Sequence, residues 1–214
     1  MAQNKYPQVT PEVEEYVERE ITPRYEAFDK AHRCDHARMV IDQSMRLAER
    51  LPELNVDMVY VVAAFHDLGL AYGREKHHTH SRAILEADAF VRGHFTPEQI
   101  ELMGCAVEDH RASNGQAPRN SYGLVVAEAD RFIDAETIIR RTIQYGLAHF
   151  PELDRDGHYR RTLEHLNAKY GPDGYLKVWI PWSDNAERLQ KLRDIIADGA
   201  ALEAIFTGIF AEEA

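Results

Sequence analysis

VDMVYVVAAFHDLG, residues 56–69, is the stretch from which the fold is read. Val59, Val62, Ala63 and His66 recur at the spacing of one helical face. That face is apolar and belongs in a core. It ends in an imidazole followed by a carboxylate, which are costly to bury without partners. A histidine bonded to a carbonyl would explain an isolated pair, but this pair is not isolated. Upstream, His32-Arg-Cys-Asp-His36 opens a helical stretch with Met39, Val40 and Leu47 on its inner face. Downstream, GLVVAEADRFID puts Val126, Ala127 and Asp130 on one stripe. Three helices thus each present His or Asp from an apolar face. A divalent cation would satisfy all three, supplying charge for carboxylates and a ligand site for neutral imidazoles. Helical bundles build metal sites in this way.

Outward from this centre the chain reads as helical throughout. Helices are expected at 11–28, 35–50, 56–68, 78–92, 97–112, 121–134, 136–149, 153–169 and 184–211. Thr10-Pro11-Glu12 and Thr96-Pro97-Glu98-Gln99 are helix starts, the second with a capping box. Asp184 and Glu187 form a similar pair before the last helix. There Leu202, Ile205, Phe206, Ile209 and Phe210 make one buried stripe. No segment alternates at period two. The expected architecture is one all-α domain over 1–214, with a core at about 30–135 and a C-terminal helical extension over 136–214.

The 214 residues are 44% hydrophobic and 29% charged, ordinary globular values, with a net charge of −11. Such acidity argues against a long nucleic acid as partner. Cys34 and Cys105 cannot build a disulfide framework. No secretory signal or membrane-spanning run is visible, which points to a cytoplasmic protein without membrane association.

His36, His66-Asp67 and Asp130 together resemble the H…HD…D signature of the HD-domain superfamily of metal-dependent phosphohydrolases. His66 follows His36 by 30 residues and Asp130 follows Asp67 by 63. The resemblance covers residues 30–135 and implies an all-α HD-domain helical bundle holding one or two divalent ions (Fe, Mn, Ni, Co or Mg). It assigns His36, His66, Asp67 and Asp130 as ligands, with Asp67 able to bridge two ions. His32 then supports the helix entrance, and Asp134 is a weaker rival to Asp130. Members with two ions draw further histidines from regions corresponding to HHTHSRAIL and VEDHRAS. That implies His77, with His78 a close rival, and His110.

The implied activity is hydrolysis of a small phosphorylated substrate, a phosphomonoester or nucleotide, by a metal-activated water. Asp67 could also accept a hydrogen bond from that water. Arg111 is the favoured phosphate anchor, because guanidinium binds phosphate in a bidentate manner. Lys76 and Arg131 are further basic candidates, and Glu75 is an acid/base candidate. Arg140 and Arg141 line an entrance or solvate a helix face. Tyr175, Trp179 and Trp182 stack on a base or cover a core. Two other readings stand beside the hydrolase. One is an HD-type di-iron oxygenase using His36, His66, Asp67, His77 or His78, His110 and Asp130. The other is a non-catalytic, metal-stabilised ligand-binding module. The C-terminal stripe suits either a homodimer face or its own core.

Overall fold

A computed structural model describes residues 6, 8–28, 34–111 and 115–214. Among these, every regular element is helical. The chain divides into two compact units, Met1–Arg131 and Phe132–Ala214. No helix among the described residues is long and apolar enough to cross a membrane.

The first unit begins with α1 (Pro11–Tyr16), continued by a π-helical turn (Val17–Ile21) and a 3₁₀ segment (Thr22–Ala27). Then follow α2 (Cys34–Ala48), α3 (Val56–Phe65), α4 (His77–Ala87), α5 (Ala89–His94), α6 (Pro97–Asp109) and α7 (Ser121–Asp130). The core element is α3. Met58 through Phe65 are all buried, so this helix is enclosed on every side and not along one face alone. It packs against α2, α6 and α7, while α4 packs against α6.

The second unit contains α8 (Ala135–His149), α9 (Arg155–Tyr170), α10 (Asp184–Ala197) and α11 (Gly199–Glu213). Within it α8 packs on α9 and α11, and Leu202, Phe206 and Ile209 are buried. Ile205 is half-buried and Phe210 stacks on Phe206.

Several boundaries differ from the sequence expectation. The helix expected at 11–28 changes hydrogen-bond pitch twice, and its 3₁₀ part starts at Thr22-Pro23, where proline lacks an amide donor. The helix expected at 78–92 breaks at Asp88, which stops α4 and caps α5 by accepting from Val91 N–H at 3.0 Å. The long C-terminal helix breaks at Asp198, whose carboxylate accepts from the amides of Ala200 and Ala201. A carboxylate that can cap a helix interrupts a periodic pattern without changing its apolar content.

The Thr96–Gln99 capping box is present. Thr10 instead donates its amide and hydroxyl to Asp57. Ser183 is the N-cap of α10, so Asp184 and Glu187 lie in its first turn and do not form a capping pair. The inner face of α2 is Ala37, Val40, Ile41, Ser44, Met45 and Ala48, with Met39 and Leu47 only half-buried.

A short 3₁₀ segment (Leu68–Tyr72) follows α3 and lies against α4. Gly69 makes this possible. A Cβ there would sit 2.0 Å from the His77 carbonyl oxygen and 2.6 Å from the Ser81 nitrogen. The Gly69 N–H also donates to Ser81 Oγ at 2.8 Å. We expect Gly69→Ala to destabilise the first unit by at least about 1–3 kcal/mol through overpacking against backbone. Urea unfolding would measure this, and an unchanged midpoint would contradict the close approach.

Candidate metal centre

His66 and Asp67 are consecutive, so a continued helix would point them about 100° apart. The chain avoids this by ending α3 at His66, which caps the helix in α conformation. Asp67 follows at φ −109° and ψ 4°, outside helical geometry. Both side chains then enter one cluster with only 0% and 5% of their surface exposed.

Asp67 lies between two sets of imidazoles. Its Oδ2 is 3.4 Å from His66 Nε2 and 3.7 Å from His36 Nε2. Its Oδ1 is 3.4 Å from both His77 Nε2 and His110 Nε2. The first set gains Asp130, whose Oδ1 is 3.2 Å from His36 Nε2 and 3.9 Å from His66 Nε2. Within the sets, His36 and His66 Nε2 are 3.4 Å apart, and His77 and His110 Nε2 are 3.3 Å apart. The donors come from the first turn of α2, the end of α3, the start of α4, the end of α6 and the end of α7.

Three of the rings are aimed by the same local device. His66 Nδ1 bonds the Ala63 carbonyl at 2.7 Å, His77 Nδ1 that of Arg74 at 2.8 Å, and His110 Nδ1 that of Val107 at 2.6 Å. A carbonyl can only accept, so Nδ1 carries the proton and Nε2 turns a lone pair or a second proton toward the cluster. Lone pairs meeting head-on beside carboxylates repel unless a cation or protons intervene.

The donors fit a cation. Atoms held about 2.0–2.2 Å from one ion lie roughly 3.0–3.6 Å from one another, close to the spacings here. His36, His66 and Asp67 form one group able to hold a metal ion, and Asp67, His77 and His110 form a second. The electrostatics agree. Burial opposes charge on His66, but Asp67 and Asp130 outweigh it and lift the imidazole to about 9. Burial would raise Asp67, but His66 and His110 hold its carboxyl well below the usual range. Asp130 is held down likewise by His36 and His66. Burial pushes His77 down to about 4, which favours the unprotonated ligand form.

None of the other described candidates belongs to either donor group. His32 is outside the described residues. His78 is half-buried and belongs to neither donor group. The Asp134 carboxylate accepts from Thr137 N–H at 2.9 Å and caps α8. Arg131 is buried and donates to the Ala127 carbonyl, which leaves it no exposed face for a substrate. Lys76 and Glu75 are exposed. Arg111 donates to the Glu75 carbonyl at 2.8 Å. Arg140 is engaged by Glu136, Glu212 and Glu213. In the helix bearing His110, Met103 and Ala106 are buried but Leu102 is 42% exposed.

Tyr25 is a residue that pattern reading missed. It is fully buried, its hydroxyl donates to the Ala64 carbonyl at 2.8 Å, and the same oxygen accepts from Asp67 N–H at 3.3 Å. It therefore fastens the chain where α3 ends. Nothing local in ITPRYEAF marks this role, because its partners lie 39 and 42 residues away.

Comparison with known families agrees with this geometry. Residues 33–134 match the HD domain family. This segment is an HD domain. Members of its superfamily are generally metal-dependent hydrolases, and the six clustered histidines and aspartates all fall within the match. No curated protein and no solved structure matches the chain.

Two outcomes are expected. Tyr25→Phe leaves two buried backbone groups short of a partner and should cost about 1–3 kcal/mol in chemical unfolding. In chelator-treated protein, His66 should stabilise the fold fully below about pH 6.5. That contribution is lost as pH rises through about 9. Asp67 and Asp130 act in the opposite sense, contributing above about pH 3.8 and losing it in acid. Melting temperature across pH 6–10, with and without Mn²⁺, checks this. The metal-free protein should lose stability toward pH 9, and Mn²⁺ should flatten the slope by displacing the His66 proton.

Proposed function

We propose that the HD domain is a metal-dependent phosphohydrolase acting on a small phosphomonoester or nucleotide. The observation that carries this reading is the division of Asp67, with Oδ2 on one imidazole pair and Oδ1 on another. His36, His66, Asp67 and Asp130 would hold one divalent ion, and Asp67, His77 and His110 a second. Such ions lower the pKa of water and neutralise phosphoryl charge. Either Fe, Mn, Ni, Co or Mg is compatible with imidazole and carboxylate donors in this mixture.

The chain's own residues supply the remaining functions. The second set adjoins the exposed loop carrying Arg74, Glu75 and Lys76, whose Arg74 carbonyl holds the His77 ring. Arg111 is tied to that loop through the Glu75 carbonyl, and its guanidinium has no carboxylate partner among the described residues. It retains donors for a substrate phosphate. The exposed Glu75 carboxylate, also outside any ion pair among the described residues, is the candidate to exchange a proton with the leaving group. A net charge of −11 suits a small anion held by local donors better than a long nucleic acid.

Four histidines and two aspartates in one cluster also match the donor set of a di-iron oxygenase, which is the second reading. The two differ in what they consume. We expect phosphate release from a panel of phosphomonoesters and nucleotides with Mn²⁺, Co²⁺ or Ni²⁺, equal in air and under argon. His66→Ala and Asp67→Ala should lose both bound metal and turnover. Oxygen-dependent turnover of an iron-loaded sample without phosphate release would favour the oxygenase. Full metal content and turnover in Asp67→Ala would refute both.

A further inference from the structure

We propose that Arg82 is a positioning residue for the second donor set, acting through α4 to hold His77 against His110 and Asp67. The proposal rests on the reading of that set as a cation site. Arg82 follows His77 by five residues and so occupies a different face of the helix. Its guanidinium is the hub of a carboxylate cluster on the seam between α4 and α6. Nε reaches Glu86 at 2.6 Å, Nη2 reaches both oxygens of Glu101 at 2.9 Å, and Nη1 reaches Glu108 at 3.1 Å. Glu86 belongs to α4, whereas Glu101 and Glu108 belong to α6.

The cluster extends to the residue beside the ligand. Glu108 is shared with Arg119 at 2.6 Å, and Arg119 also holds Asp109, the neighbour of His110, at 2.8 Å. Helix approach is close along this seam. A Cβ on Gly104 would lie 2.7 Å from Glu86 Oε1 and 3.3 Å from Arg82 Cγ. An isolated exposed ion pair contributes little. A fork engaging three carboxylates is different, because removing it takes the shared cation from Glu86, Glu101 and Glu108 across the seam and leaves Arg119 on Glu108.

The effect should be confined to one cation. His77 sits in the first turn of α4, and the bond that orients its ring, from Nδ1 to the Arg74 carbonyl, lies within its own segment. Its distance to His110 therefore follows the placement of α4 on α6. The first set takes no ligand from α4: its residues come from α2, the end of α3 and the end of α7. Loosening the seam should open the His77–His110 spacing of 3.3 Å and spare His36, His66 and Asp130.

Mn²⁺ titration of the full chain tests this, read by calorimetry, elemental analysis and the exchange-coupled EPR signal of an adjacent Mn²⁺ pair. Wild type should take two ions. Arg82→Met should keep the first affinity and weaken the second roughly 10–100-fold, with loss of the coupled signal. Arg82→Lys should restore part of it. If Arg82→Met does not fold, Glu101→Gln, at an exposed partner, should show the same selective loss in smaller degree. Tight binding of both ions, or equal weakening of both, in the variant that folds overturns the proposal. One ion in wild type, or two in His77→Ala, would instead overturn the cation-site reading on which it rests.

Discussion

A carboxylate enclosed by four imidazoles is the constraint around which the first unit is built. Asp67 is 5% exposed and sits within 3.7 Å of His36, His66, His77 and His110. Such a group is stable only if opposite charge or hydrogen-bond donors meet both of its oxygens. Each histidine comes from a different segment, so meeting that demand brings α2, α3, α4 and α6 to one point, and Asp130 adds α7. The break after His66, the Tyr25 hydroxyl across it and the glycine beneath α4 all serve this convergence.

The helical class and the signature were legible because His66 and Asp130 each end an apolar helical stripe, while His36 opens one and Asp67 directly follows His66. Val59, Val62, Ala63 and His66 announce themselves through periodicity, as do Val126, Ala127 and Asp130. The choice between His77 and His78 was not legible. Both are polar residues at a helix start, and only the Arg74 carbonyl, which turns the His77 ring, separates them. The capping breaks at Asp88 and Asp198 were missed because aspartate within an amphipathic pattern also fits a solvated face.

Long-range partners account for the remainder. Tyr25 looks like any core aromatic until the loop it ties is in place, and Arg82 looks like a solvated residue until Glu101 and Glu108 arrive from another helix. Arg131 and Arg140 each had a structural alternative to a substrate role, and their contacts favour that alternative. Each sits beside a suggestive neighbour in sequence, yet one is packed against its own helix end and the other is saturated by glutamates.

The carbonyl three positions upstream that orients His66, and likewise His110, has a wider implication. Ring direction is written into a four-residue stretch of the histidine's own chain and does not wait on distant side chains. Each such stretch carries its own aiming bond within a single helical turn. Drift elsewhere in the bundle can then shift where a ring stands while leaving where it looks untouched.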